Sequence, residues 1–587
     1  MCGIIYKSNY YTKTDCEKFI RSCDLLRHKK VDNFGYYFNQ NHCLGHLRLN
    51  SVDNNYIQPI IEYNKYLIFD GNLTNYHELT NSKDERVDSL LVFKLLERYG
   101  IKALNKINGA YAFIYVDNDK TIAVRDRFGI KPLYYSVYEK DIIIANEIKA
   151  ILNYIDESIV NKEGLCELLG MGPSHSIGKT IYKNIYEVPP GHYLEYDKDG
   201  LTVKEYYDIN AYKIEIPYSE AVKKAKSLVV NSILSNIPTD KNVSCLLSGG
   251  LDSSIVAKVV SDHVGNINTY LIDYEDNEEE FIPNSYEITK DKDYARLVSK
   301  DIKSNHNEII IDNNTLFDNL KKAVEYRDSP GMTDIDSSLI YLASEISKTN
   351  RVCLTGECAD EIFAGYKWYY EPYDNKYGFP WIKSLEFKEN LLNDKYKLNL
   401  KDYVVEEYSK AINKCKLSSK TKLGINHQQL CYMNIKYCMT NLLNRNDAMT
   451  RALSINSLAP FCDYKIIELL YNLPLSYKYR LKTEKKLLRD CFKKEVIKPV
   501  LERKKSPYPK SRSKGYETKV KEELLNILNS DSILNELFDK DKLLSFINDD
   551  KEMEEPWYGQ LMRKTSFLAY LYQIDYWYKK YNIRIEI

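Results

Sequence analysis

Hydrophobic and polar positions along this chain fall into two regimes. Up to about residue 205 the apolar runs are short and punctuated by turns. Ala110-Tyr111-Ala112-Phe113-Ile114-Tyr115-Val116 running into Asp117-Asn118-Asp119 predicts a buried strand and its turn. Thr121–Val124, Leu133–Ser136 and Ile142–Ala145 repeat the theme, while Leu91, Leu95 and Leu96 predict a helix over Asp88–Tyr99 that Gly100 stops. Pro189-Pro190-Gly191 and the strand to Tyr196 close this unit, and 207–217 reads as a linker. From Tyr218 helices alternate with short apolar strands: Val243–Leu247, Asn268–Ile272, Glu308–Ile311 and Arg351–Thr355, with a helix from Asp252 to Val260 after the first. That alternation predicts a doubly wound parallel sheet whose site lies at the strand C-terminal ends. Residues 380–587 are mostly helical by pattern, and the expected units are 1–206 and 218–587.

Length and composition narrow the class. At 587 residues the chain exceeds one core, and 44% hydrophobic with 28% charged residues is a globular composition. Lys+Arg and Asp+Glu are both 83, so no excess charge points to nucleic acid. No apolar run reaches the length of a membrane span, and the N-terminus lacks a signal-peptide layout. Thirteen cysteines without CxxC pairs predict free thiols in a reducing cytoplasm and no structural zinc.

Chemistry concentrates in two places. Cys2-Gly3 follows the initiator methionine, whose removal would leave a cysteine bearing its own α-amine. An α-amine ordinarily titrates at about 7.7–8.0, so it can take the thiol proton without a histidine. Ser248-Gly249-Gly250-Leu251-Asp252-Ser253-Ser254 ends a strand and opens a helix. Its glycines allow close backbone approach, and the helix N-terminus offers free N–H groups to phosphate. The loop lacks a Walker lysine, which favours cleavage between the α and β phosphates. A thiol for amide cleavage and a pyrophosphate loop together predict nitrogen transfer coupled to carboxylate activation.

The first half resembles a class II glutamine amidotransferase domain. The matching residues are Cys2-Gly3-Ile4, Gly45-His46-Leu47-Arg48-Leu49, Val52-Asp53, Gln58-Pro59, Asp70-Gly71, Asp88 and Arg125–Tyr135. The resemblance implies the αββα sandwich of N-terminal nucleophile (Ntn) hydrolases. It implies attack by Cys2 on the glutamine amide, Arg48 on the glutamine carboxylate, Asp88 on its ammonium, and Val52 and Asn72 in the same subsite. This chain has Asp70-Gly71-Asn72 where the family has Asn-Gly-Glu, and Lys29-Lys30-Val31-Asp32 where it has Arg-Gly-Pro-Asp. An ionised Asp70 sets negative charge beside the developing oxyanion, and a missing donor costs about 100- to 1,000-fold. Impaired or altered glutaminase chemistry is expected, with free ammonia as the other nitrogen source.

The second half resembles asparagine synthetases, with the loop of ATP pyrophosphatases and the adenine nucleotide alpha hydrolase-like fold. The motif Leu354-Thr355-Gly356-Glu357-Cys358-Ala359-Asp360-Glu361 to Tyr366, then Asn444–Met449, Pro460–Asp463 and Thr483–Arg489, follow the family in order. By resemblance ATP is framed by Leu246, Leu247, Ser248, Gly249, Gly250, Asp252, Ser253, Ile272, Thr355 and Gly356. Asp252 and Asp360 would hold Mg²⁺, Glu357 and Lys485 would be catalytic, and Glu361, Tyr366, Asn456 and Arg489 would meet the acceptor. Cys358 replaces a glycine, and Asn456 and Leu458 replace the charged pair of Ser-Leu-Glu-x-Arg-x-Pro-Phe-Leu-Asp. The implied reaction adenylates a carboxylate, releases pyrophosphate and admits ammonia through a tunnel. Aspartate gives asparagine; a sugar acid, cell-wall or natural-product carboxylate is the alternative, and a silent regulatory relative the rival from another class. Small-molecule substrates are the expected partners, with a homodimer left open.

Overall fold

Strand alternation in the first half resolves into two antiparallel sheets in a computed structural model that describes residues 2–9, 12–27, 31–50, 56–80, 86–283, 288–372 and 376–587. One sheet of six runs in the order Tyr186–Glu187, Tyr134–Tyr138, Asp141–Ala145, Gly3–Ser8, His42–Arg48, Asn33–Phe38. The other runs Gly200–Glu205, His192–Asp197, Lys120–Arg125, Gly109–Asp117, Lys65–Leu73, Ile60–Glu62. Side chains alternate between two apolar surroundings, as the two-residue period requires. Ile4, Tyr6 and Ile68 meet between the sheets. Ile5 points outward to Phe19, Cys23 and Ile151, and Leu67 and Phe69 point outward to Val92, Phe93 and Leu96. Both faces of the central strands are therefore buried, which is why they read as unbroken apolar runs. Helices Lys13–Leu25 and Ile148–Ile155 cover one sheet and Asp88–Tyr99 the other, in an αββα order. Gly100 caps Asp88–Tyr99 at φ 54°.

The second half carries a five-stranded, all-parallel sheet ordered Asn305–Ile311, Asn268–Tyr274, Ser244–Leu246, Val352–Leu354, Asn456–Leu458. Helices Leu251–Val264 and Asp291–Ile302 pack together on it, as do Asp334–Ile346 and Thr440–Arg451. Strand order reverses between Ser244–Leu246 and Val352–Leu354, so a crevice opens beyond their C-terminal ends. Asn456–Leu458 is a fifth strand the apolar pattern did not show. Three residues of weak β propensity gain their conformation from the neighbouring strand, Val352 facing Asn456.

The halves are stitched together. Residues 207–217 form no helix or strand but lie along the second half, where Asp208 meets Lys436 at 3.1 Å and Tyr207 Oη donates to Glu468 at 3.1 Å. At the other end Arg584–Glu586 pairs in parallel with Ile159–Asn161, and Trp577 Nε1 donates to Tyr182 Oη at 2.7 Å. Lys131 Nζ bonds Asp447 at 2.7 Å, Asp447 meets Arg451 at 3.2 Å, and Arg451 meets Glu147 at 3.4 Å, a buried polar seam between the two halves. No helix among the described residues is long and apolar enough to cross a membrane.

Candidate active sites

Cys2 stands at the foot of strand Gly3–Ser8, buried beside the end of His42–Arg48. Its backbone nitrogen lies 2.7 Å from Asp70 Oδ1. Asn146 clamps the pair: its Nδ2 donates to Asp70 Oδ2 at 3.2 Å and to the Cys2 carbonyl at 2.6 Å. Burial pushes the Cys2 thiol above its ordinary value, and the Asp70 carboxylate pushes in the same direction. An acceptor-only carboxylate thus occupies the place where the family sets an amide donor. Gly71, at φ 147°, has no room for a side chain, because an added Cβ would lie 2.1 Å from the Ala110 carbonyl.

Around this thiol the residues expected to bind glutamine are unevenly placed. Arg48 is buried and donates to Asn50 Oδ1 and the Tyr56 carbonyl. Asn72 is buried with Oδ1 unpartnered. Asp88 oxygens accept from Arg86 Nε at 2.8 Å, Arg86 Nη2 at 2.9 Å and the Leu73 amide at 2.7 Å. Asp88 opens helix Asp88–Tyr99, and Arg86 reaches it from just before the extended cap residue Val87. Val52, Asp53 and the Lys29-Lys30 pair lie outside the described residues.

At the crevice of the second half, a short strand runs into the phosphate loop. Gly249 adopts φ 66° and packs so closely that a Cβ would lie 2.4 Å from Ala295 N. Ser248 and Ser253 hydroxyls face each other at 3.1 Å, and Ser248 Oγ accepts from Gly250 N at 3.3 Å. The helix Leu251–Val264 begins here and aims its free N–H groups into a cavity of about 290 Å³. Leu246, Leu247, Ser248, Gly250, Asp252 and Ser253 line it, with Ile272, Thr355 and Gly356 from the two adjacent strand ends. Gly356 lies against the loop: a Cβ there would be 2.8 Å from Ser253 N.

The acidic motif faces that loop. Lys485, held at φ 53° at the head of its helix, bridges Asp252 Oδ2 at 2.5 Å and Asp360 Oδ1 at 2.6 Å. Lys505 takes Asp360 Oδ2 at 2.9 Å. Burial raises Asp252, whereas at Asp360 the two lysines outweigh burial and lower it. The same carboxylates raise Lys485. Gly365 makes this packing feasible, since a Cβ would meet Asp360 Oδ1 at 1.9 Å. Glu357 accepts from Arg445 Nη2 at 2.8 Å and keeps Oε2 unpartnered. Lys505 carries no site signal in the sequence, and Arg445 only its place in the Asn444–Met449 motif; the fold brings both to the loop.

Comparison with known proteins agrees with this arrangement. The Asparagine synthase family matches residues 224–579, and the Glutamine amidotransferase domain family matches residues 1–207. An asparagine synthetase [glutamine-hydrolyzing] 3 of Bacillus subtilis strain 168 is 33% identical across the whole of both chains. The chain belongs to the glutamine-hydrolysing asparagine synthetase family. It is a ligase-type amidotransferase. Asparagine synthetase [glutamine-hydrolyzing] 1 of the same organism is 25% identical, covering 94% of this chain and 93% of its own. The amidase chyE of Penicillium rubens is 26% identical over 61% of this chain and 56% of its own.

The residues expected to meet the acceptor divide. Glu361 and Tyr366 line the cavity, Tyr366 Oη donating to Glu361 Oε1 at 2.6 Å. Burial, with Asp360 adding to it, pushes the Glu361 carboxyl up to about 7. Arg489 lines the cavity and donates to the carbonyls of Glu484, Leu501 and Arg503 and to Glu484 Oε1, bracing the wall. Asn456 lies apart from these residues. It begins the fifth strand, donating its N–H to the Arg351 carbonyl at 2.8 Å, and does not line the cavity. The magnesium that this family's chemistry implies fits the donor set. Asp252 and Asp360 converge on one nitrogen, and Asp252 Oδ1 is buried without a hydrogen-bond partner. Two carboxylates plus phosphate oxygens suit a hard cation. Among the described residues no group of three or more His, Cys, Asp or Glu could hold a metal without the nucleotide.

Proposed function

We propose that this family member amidates a carboxylate through an acyl-adenylate, releasing AMP and pyrophosphate. One observation carries the reading: Lys485 is suspended between Asp252 and Asp360 directly opposite a lysine-free pyrophosphate loop. The loop N–H groups and the Ser248 and Ser253 hydroxyls hold the β and γ phosphates. An acceptor carboxylate oxygen attacks the α-phosphorus, and pyrophosphate departs toward the helix N-terminus. Lys485 stabilises the charge that builds on the phosphoryl oxygens. Asp252 and Asp360 would hold magnesium, which supplies charge neutralisation on the phosphates when bound. Ammonia then attacks the acyl carbon and AMP leaves. Glu357, oriented by Arg445, has an oxygen free to accept the proton that the nitrogen sheds.

Glutamine is the proposed nitrogen source, hydrolysed at Cys2 once Met1 is removed. The Asp70 carboxylate beside that amine favours its protonated form and repels the oxyanion, so hydrolysis is slow. Aspartate is the acceptor implied by the Bacillus relatives' names. Thirteen unbridged cysteines support a reducing, cytoplasmic setting. Labelled ATP incubated with a carboxylate panel and ammonium should give AMP and pyrophosphate; ADP and orthophosphate would refute adenylation. Cys2→Ala should abolish glutamine-supported turnover and keep ammonium-supported turnover, and equal activity with both donors would show the thiol idle.

A further inference from the structure

The cavity of the second half is walled by six cationic side chains: Arg445, Lys485, Arg489, Arg503, Lys504 and Lys505. Five are matched by carboxylates. Lys485 and Lys505 face Asp252 and Asp360, Arg445 faces Glu357, Arg489 faces Glu484, and Arg503 faces Asp291 at 2.6 Å. Lys504 stands apart. Among the described residues no carboxylate meets its ammonium, which reaches only the Lys482 carbonyl at 3.5 Å, longer than an ordinary hydrogen bond. The side chain is exposed while lining the cavity, which sets its charge at the mouth.

The backbone fixes where that charge stands. Residues 503–513 form neither helix nor strand, and 503–509 line the cavity. Arg503 is extended, at φ −63° and ψ 133°, and its Nη1 donates to the carbonyl of Ser248, the first residue of the phosphate loop, at 3.1 Å. Lys505 is pinned on the other side, its N–H donating to Glu484 Oε1 at 3.0 Å and its ammonium meeting Asp360 at 2.9 Å. Successive side chains of an extended segment point in opposite directions. With Arg503 and Lys505 turned to the walls, Lys504 projects to the mouth, between the phosphate loop and the carboxylate that faces it. Lys505 also comes within 5.9 Å of the Tyr366 ring centroid, so it is Lys505 that looks toward Tyr366 and Glu361, while Lys504 reaches toward the turn that leads to Lys485.

Charge balance names the ligand. Lys485 and Lys505 cancel Asp252 and Asp360, so these four groups bring no net charge to a polyphosphate. A nucleoside triphosphate, and the pyrophosphate it releases, stay anionic with a magnesium ion bound, and the loop meets them with neutral N–H and hydroxyl groups. Resting on the adenylation reading, we infer that Lys504 binds the outermost phosphate of the nucleotide at the cavity mouth and holds pyrophosphate as it departs. An exposed cation beside a cleft speeds the capture of an anion and loses that effect as salt rises.

The test compares the full-length wild type with Lys504→Gln, Lys504→Glu and Lys504→Arg, with magnesium present throughout. Equilibrium titration with ATP, and separately with pyrophosphate, reads binding apart from turnover. At low salt Lys504→Gln should weaken both by about threefold to fivefold, the scale of an exposed ion pair. Lys504→Glu should weaken both by about tenfold or more, and Lys504→Arg, which keeps the charge, should stay within about twofold of wild type. The differences should shrink as the screening length falls from about 10 Å at 0.1 M salt to about 3 Å at 1 M, a dependence that loss of a packing contact would not show. KM for the acceptor carboxylate should match wild type. A rise in that KM with ATP and pyrophosphate affinities unchanged would overturn the inference and assign Lys504 to the acceptor. Unchanged values for all three ligands would overturn it as well and leave a solvated lysine. A wild type that binds ATP and pyrophosphate but releases no pyrophosphate with any carboxylate would refute adenylation, and the titrations would still decide the role of Lys504.

Discussion

Asp70 and Glu361 show how one carboxyl group sets the character of each site. Asp70 lies 2.7 Å from the Cys2 nitrogen, where the family pattern has asparagine. Asp70→Asn restores a donor for the oxyanion, so glutamate release should rise by about 100-fold; an unchanged rate would place the defect elsewhere, in the Arg86–Asp88 pair first of all. Glu361 is the pH-sensitive group. Its carboxyl sits at about 7 in the fold against an ordinary value of 4.5. Between those values the folded chain binds the extra proton and the unfolded chain does not, so stability falls as pH rises through the window. The full effect is present below about 4.5 and lost above about 7, and it is on the order of a few kcal/mol. Glu361→Gln stays neutral, so denaturant midpoints at pH 5.5 and 8 should converge relative to wild type. Cys2, Arg48 and the serines of the loop were legible as residues because their motifs are local. Asn146 and Lys505 were not, because each acts on a partner far along the chain, and Arg86 was not, because its pairing with Asp88 at a helix start belongs to no motif of its own.

Among elements, the phosphate loop is the one whose sequence and geometry correspond most closely. Gly249 needs its positive φ, and Gly356 needs the absence of a side chain because the loop backbone lies against it. Gly356→Ala should raise KM for ATP by about tenfold or more, since the loop must shift to admit the methyl group; nucleotide titration checks it, and an unaltered affinity would mean that the loop yields easily. Helix Asp88–Tyr99 begins and ends where leucine spacing and Gly100 predicted. The strand Asn456–Leu458 escaped detection, and with it the position of Asn456, because a three-residue strand carries no period of its own.

For the whole molecule, the polar seam at Lys131, Asp447, Arg451 and Glu147 joins the two halves. Lys131 and Asp447 are 1% and 4% exposed, so removing one partner leaves a buried charge undercompensated. Lys131→Met should cost about 3–5 kcal/mol. It should also let glutamine hydrolysis run without matching AMP formation, and Lys131→Met with Asp447→Asn should recover part of the stability. Unfolding curves and the ratio of glutamate to AMP measure both effects; full stability in the single variant would show that the seam does not hold the halves together. By itself the sequence determined the two chemistries and their order, because a nucleophile at a chain start and a glycine turn between strand and helix are short-range patterns. It also determined the alternation that yields a parallel sheet. Only tertiary structure decided which charges are already neutralised and which motif residues reach the cavity. Pairing and burial depend on segments hundreds of residues apart, and no local spacing encodes them.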